Sequence, residues 1–209
     1  MIILSHRGYW QGVQEKNVLS AFNRSFSLAF GTETDLRDRN GELVISHDPA
    51  REDALPAELF FASYAQHAQN LTLALNIKAD GLQKLLSEAL SLHQIQNYFV
   101  FDMSVPDMIS YINSGIRVFT RQSEYEPNPA LYEQAHGVWI DCFNEDWVDE
   151  HTIETHINNG KQVCLVSPDL HKRTFETFWT RLKKMPISKS FDLMLCTDYP
   201  EEARNYFHE

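Results

Sequence analysis

Three short clusters near the start of the chain gather residue types that can do chemistry: His6-Arg7-Gly8, Glu33-Thr34-Asp35 and His47-Asp48. Glu33 and Asp35 are two residues apart, so in a strand their carboxylates leave the same face. Two carboxylates held side by side repel each other and resist loss of water. A divalent cation relieves both problems, and hard oxygen ligands suit Mg2+ or Ca2+. His6 and His47 supply a neutral imidazole that can accept a proton and an imidazolium that can give one back. Arg7 offers a planar fork for phosphate oxygens. Asn76 and Lys78 close a later apolar run and share one face by alternation, bringing an amide oxygen and an ammonium to its end. Taken singly, each is more often a solvated strand end, a structural histidine or an ion-paired cation. Taken together, they form the residue kit for metal-assisted chemistry on a phosphate ester.

The elements that must position these groups alternate. Strand-like apolar runs fall at 2–5, 32–36, 71–77, 98–101, 116–119, 137–140, 162–166 and 193–196. Helical spacing falls between them, at 17–30, 57–69, 82–92, 106–113, 130–134, 147–158, 173–184 and 200–207. Asn40-Gly41 accepts positive φ and predicts a tight turn leading into an arm at 43–46. Repeated strand-helix units imply a parallel sheet, and eight of them are enough to close a barrel. The expected fold is a compact α/β TIM (β/α)8 barrel, a single domain over 1–209, with a small β-hairpin insertion after strand 2. An open doubly wound sheet is the alternative. In a barrel the polar clusters would gather at the strand ends, where such folds place their chemistry.

Composition narrows the partners. The 209 residues carry 43% hydrophobic and 22% charged side chains, the profile of an ordinary globular protein. A net charge of −11 argues against nucleic acid or anionic lipid as partners, since both need a basic surface. An anionic substrate therefore needs local positive charge, from Arg7, Lys78, Arg37, Arg121 or a bound cation. The opening Met-Ile-Ile-Leu is too short for a signal-peptide core, and no run approaches a membrane span, so no membrane insertion is expected. Cys142, Cys164 and Cys196 are widely spaced without a CxxC pair and read as small core residues in a reducing, cytoplasmic setting.

The motifs resemble those of the glycerophosphodiester phosphodiesterases, within the larger group of phosphatidylinositol phospholipase C-like phosphodiesterases. The opening His-Arg-Gly is Ser5-His6-Arg7-Gly8-Tyr9, and the Asn and Ala-Phe helix start is Lys16-Asn17-Val18-Leu19-Ser20-Ala21-Phe22. The Gly-x-Glu-x-Asp strand is Gly31-Thr32-Glu33-Thr34-Asp35. The turn and His-Asp arm are Asn40-Gly41-Glu42-Leu43-Val44-Ile45-Ser46-His47-Asp48, and the closing Thr-Asp-x-Pro is Thr197-Asp198-Tyr199-Pro200. The resemblance implies a TIM barrel that cleaves a small phosphodiester with a divalent cation, Mg2+ or Ca2+. It implies Glu33, Asp35 and Asn76 as metal positions, His6 and His47 as the acid–base pair, and Arg7 and Lys78 as phosphate contacts.

The chain also departs from the pattern. Asn76 stands where the family has a third carboxylate, and Lys16 where it has a Glu, with Glu15 one position earlier. An amide keeps an oxygen ligand but removes a charge, so metal affinity should fall or another acid must help. Asp80, Glu124, Glu126 and Asp141 are the acids nearest predicted strand ends. Val166-Ser167-Pro168-Asp169-Leu170-His171 replaces a common Trp-Thr, which points to a different alcohol in the substrate. Three functions remain open at this level: a metal-dependent phosphodiester hydrolase, a lyase stopping at a cyclic phosphate, and a non-catalytic binder of a phosphorylated sugar or polyol.

Overall fold

The structure, a computed structural model, describes residues 1–67 and 70–208. They fall into two compact units, Ser5–Val118 and Met1–Leu4 with Phe119–Glu209. The first strand, β1 (Ile2–His6), contributes residues to each.

In the Ser5–Val118 unit, helix α1 (Leu19–Ser27) leads to β2 (Gly31–Arg39), and a hairpin returns through β3 (Glu42–Ile45) to a two-residue strand β4 (Leu55–Pro56). Helix α2 (Ala57–His67) precedes β5 (Leu73–Ile77), α3 (Gln83–Leu92), β6 (Tyr98–Phe101) and α4 (Val105–Asn113). The two final residues of the helix expected at 57–69 lie outside the described residues. The first part of β2 runs parallel to β5, with Asp35 opposite Asn76, and β5 runs parallel to β6. From Leu36 onward β2 also pairs antiparallel with β3, which is the hairpin insertion expected after strand 2. Asn40 (φ 53) and Gly41 (φ 84) supply the two positive φ angles of its turn. Apolar faces of α1 and α2 meet through aromatic side chains, with the Phe22 and Phe60 rings 4.6 Å apart and edge-on.

The other unit carries four parallel strands in sequence order, β7 (Phe119–Gln122), β8 (Gly137–Ile140), β9 (Gln162–Val166) and β10 (Leu193–Thr197). Helices α5 (Glu150–Asn158), α6 (Glu176–Lys184) and α7 (Pro200–His208) complete it. Cys142, Cys164 and Cys196 are buried thiols and none forms a disulfide. Among the described residues no helix is long and apolar enough to cross a membrane.

Several elements differ from the sequence expectation, and three of the differences have a clear local reason. The strand expected at 116–119 begins at Phe119, because the Ile116 amide is taken by the Tyr111 carbonyl in closing α4. Residues 130–134 form a turn rather than a helix, since Leu131 adopts a left-handed φ of 51. The helix expected from 147 starts at Glu150, where the Asp149 side chain caps the Thr152 amide and the Trp147 indole is instead committed to the Asp141 carbonyl.

Candidate active site

All seven residues singled out from the sequence lie in the Ser5–Val118 unit. His6 ends β1, and the chain then turns sharply through Arg7 (φ 58) and Gly8 (φ 82). A side chain on Gly8 would meet Ala21 backbone and Cβ atoms at 3.0 Å, so glycine is required by both conformation and space. The turn presents the Arg7 amide to Glu33 Oε2 at 3.1 Å and places Arg7 Nε 3.0 Å from Asp35 Oδ2. Its carbonyl accepts from the Asn17 amide at 3.0 Å, drawing Asn17 into the same cluster. Asn17 sits in a left-handed conformation (φ 61) and delays the start of α1 to Leu19, although the apolar spacing begins earlier. Its Nδ2 donates to Asp35 Oδ2 at 2.8 Å and its Oδ1 accepts from Thr34 Oγ1 at 2.9 Å.

Asp35 is the centre of the arrangement. It is fully buried, with Arg7 and Asn17 on one oxygen and Lys78 Nζ 3.4 Å from the other. Its carbonyl accepts the Ser46 amide at 3.0 Å, so the hairpin arm returns next to it and delivers His47. The Lys78 amide is similarly fixed by the Leu36 carbonyl at 2.9 Å. Glu33, two residues back on β2, is 2% exposed and lies 3.9 Å from His6 Nε2. Burial, reinforced by the charge on Asp35, pushes its carboxyl up to about 8, and Arg7 and Lys78 offset only part of that. His47 is 46% exposed, and its Nδ1 meets Asp48 Oδ1 at 2.9 Å, while Arg37 Nε donates to its carbonyl. A carboxylate can only accept, so Asp48 sets the proton on Nδ1 and leaves Nε2 for other work. The His47 ring also holds the Asp48 carboxyl below its ordinary value.

Of the four cations expected to supply local positive charge, three are already paired with acids, while Arg37 donates to the His47 carbonyl. Arg7 and Lys78 rest on Asp35, and Arg121, in the other unit, pairs with Glu126. Of the acids nearest strand ends, Asp80 accepts from Ser104 Oγ at 3.1 Å. Glu124 accepts the Phe143, Asn144 and Glu145 amides, and Asp141 pairs with His171 at 2.6 Å. Glu15, the acid next to Lys16, is bound to Arg24 at 3.0 Å. The carboxylate that does approach Asn76 is one the motifs did not indicate, Asp102, whose Oδ2 accepts from Asn76 Nδ2 at 3.1 Å and lies 3.9 Å from Lys78 Nζ. The one sequence signal for Asp102 is an acid directly after an apolar strand, the same signal that marked Asn76 and Lys78. The signal for Asn17 was its place in the motif, which carries no hint that it would hold Asp35.

Whether these groups suit a divalent cation can be judged from their unfilled valences. Asp35 Oδ1 and Asn76 Oδ1 are buried and have no hydrogen-bond donor among the described residues. Their residues are partners in register on adjacent parallel strands, so the two side chains share a face. Among the described residues no three His, Cys, Asp or Glu side chains gather closely enough to hold a metal by themselves. An ion here would rest on Glu33, Asp35 and the Asn76 amide oxygen. Mg2+ sites commonly use one or two carboxylates and leave the remaining positions to water and substrate phosphate, and this donor set fits that description.

No protein-family model matches the chain, and no curated protein matches it. Solved structures do. A candidate glycerophosphodiester phosphodiesterase from Galdieria sulphuraria aligns over 100% of this chain and 98% of its own, with TM-score 0.79 and 18% identity. A glycerophosphodiester phosphodiesterase from Agrobacterium tumefaciens aligns over 100% and 99%, with TM-score 0.74 and 13% identity. A phosphodiesterase from Oleispira antarctica, solved with the product sn-glycerol-3-phosphate, aligns over 100% and 97%, with TM-score 0.72 and 14% identity. The fold is therefore the TIM barrel of these proteins, as the sequence motifs implied.

Proposed function

We propose that the chain is a metal-dependent phosphodiester hydrolase acting on a small glycerophosphodiester-like or sugar or polyol phosphodiester. The observation that carries this reading is Asp35: a fully buried carboxylate between Arg7, Asn17 and Lys78, one oxygen of which has no hydrogen bond beyond its 3.4 Å ion pair with Lys78, with a register partner, Asn76, whose buried amide oxygen has no donor. Arg7 and Lys78 already offset the Asp35 charge, but the buried Glu33 carboxyl beside it and the unfilled Asn76 oxygen leave hard oxygen donors that suit a divalent cation. The product-bound Oleispira structure shows the same fold holding sn-glycerol-3-phosphate, which supports a glycerol-type phosphodiester as the substrate class.

In this reading Glu33, Asp35 and Asn76 Oδ1 would hold Mg2+ or Ca2+, and the cation would supply charge neutralisation at the phosphate oxygens. Arg7 and Lys78 exchange part of their contact with Asp35 for the phosphate, anchoring it as it gains charge. His6 takes the proton of the attacking oxygen, from water or from a hydroxyl beside the phosphate, and Glu33 stabilises the positive charge the ring acquires. The bond between phosphorus and the leaving alcohol breaks, and His47, entering the step as an imidazolium held at Nδ1 by Asp48, gives that oxygen its Nε2 proton and is left neutral. The two histidines exchange roles if a cyclic intermediate must then be opened by water.

The test is a panel of small phosphodiesters incubated with Mg2+, Ca2+ or Mn2+ and followed by phosphorus NMR. A monoester product is expected, and His6→Ala and His47→Ala should each lower turnover by about 10²–10⁴. A cyclic phosphate as the end product selects the lyase instead. Full activity in both variants sinks the assignment of the acid–base pair.

A further inference from the structure

Asp102 directly follows β6, and its chain neighbour Phe101 is the register partner of Asn76. It faces an amide rather than the carboxylate that the family pattern places at position 76. A carboxylate accepts hydrogen bonds and donates none, so the Asn76 amide must turn its nitrogen toward Asp102 and its oxygen away. That oxygen is the buried one without a donor, on a residue only 7% exposed. Lys78 Nζ, itself a donor, lies between Asp102 Oδ2 at 3.9 Å and Asp35 Oδ1 at 3.4 Å, so its charge spans both acids. The Asp102 backbone is left-handed (φ 68), a conformation rare for L residues and best tolerated by Asn, Asp and Gly. The chain thus holds an unfavourable backbone at the point where the carboxylate meets the amide, a pattern associated with functional sites.

We propose that Asp102 is a positioning residue that locks the Asn76 amide with its oxygen presented to the cation site. This rests on the metal-dependent reading above and adds to it how an amide can serve at that position. An asparagine free to rotate must be turned and ordered by the cation before its oxygen can bind. With the carboxylate behind it, only the oxygen is offered, and the hydrogen bond polarises that oxygen toward greater negative charge. A carboxylate at position 76 would need no such partner, because both of its oxygens accept.

The experiment is a double-mutant cycle on the full chain, read by calorimetric titration of Mg2+ and Ca2+ after chelator treatment, with urea unfolding in EDTA as a check of folding. Asp102→Asn keeps the shape and the tolerance for positive φ but can present either a donor or an acceptor to Asn76. It should weaken cation binding about 10–100-fold. Asp102→Gly, also compatible with the backbone, should weaken it at least as much. In the Asn76→Glu background, Asp102→Asn should leave affinity unchanged or tighten it, since no amide remains to be oriented and a repulsive charge is removed. Unaltered affinity in both Asp102 variants overturns the inference. So does an equal loss in both backgrounds, which would mark Asp102 as a distant charge only. Either result leaves the metal-dependent reading intact, whereas absence of Mg2+ and Ca2+ binding by the unsubstituted chain removes both.

Discussion

Glu33→Gln tests the electrostatics of the site most directly, because the cation is expected to cancel its effect. In the folded chain the Glu33 carboxyl stays protonated up to about 8, since it is buried beside Asp35, while in the unfolded chain it ionises at its ordinary value of 4.5. A folded pKa above the unfolded one contributes stability that is complete below 4.5 and is lost as pH rises toward 8. The loss runs at about 1.4 kcal/mol per pH unit, so at pH 7 holding the group protonated costs the folded state about 3 kcal/mol relative to a neutral side chain of the same shape. Glutamine is that side chain, and its carbonyl oxygen can still accept the Arg7 amide. Without metal, Glu33→Gln is expected to raise stability by about 3 kcal/mol at pH 7 and by almost nothing near pH 4.5. The assay is urea unfolding followed by fluorescence of the four tryptophans, in EDTA, at both pH values. Saturating Mg2+ should then erase the advantage, since a ligand at a hundredfold excess over its dissociation constant adds about 2.7 kcal/mol to the chain that binds it. A variant no more stable than the parent at pH 7 in EDTA would refute the account of Glu33 as a buried acid strained by its neighbour.

Other expectations follow from the same geometry. Gly8→Ala meets both an unfavourable φ and an Ala21 contact at 3.0 Å, whereas Gly41→Ala meets only the φ, with nothing within 4 Å; thermal unfolding should show a loss of about 1–3 kcal/mol for the first and about 1 kcal/mol for the second. Equal losses would remove the packing argument. His156 is buried, hydrogen-bonded to Tyr132 and Gln122, and its pKa is lowered by that burial. Its neutral ring contributes stability that is present above about 6.5 and is lost as pH falls through its lower folded value. The stability gap between the parent and His156→Gln should therefore narrow below pH 6, and a gap independent of pH would contradict the assignment. Asn17→Ala removes the donor to Asp35 and the acceptor for Thr34, and should lower stability by about 1–3 kcal/mol in urea unfolding; a neutral result would mean that water replaces it fully.

Much of the site could be read in advance because its residues are bound to local patterns. Glu33 and Asp35 share a face through strand alternation, Asn40-Gly41 encodes the hairpin through its φ preferences, and strand and helix alternate with few breaks. Element edges proved harder where one residue's conformation overrode the pattern, as Asn17, Leu131 and Asp149 each did.

By itself, then, the sequence determined the repeating fold and singled out the histidines and carboxylates proposed for the site, since both follow from periodicity and side-chain chemistry within a few residues. Only the tertiary structure decided which groups touch. Asp102 lies 26 residues from Asn76, and Asn17 lies 18 from Asp35; each pair meets through strand register or a backbone turn. The raised pKa of Glu33 is likewise a tertiary property, because burial and the neighbouring charge of Asp35 exist only once the strands have packed.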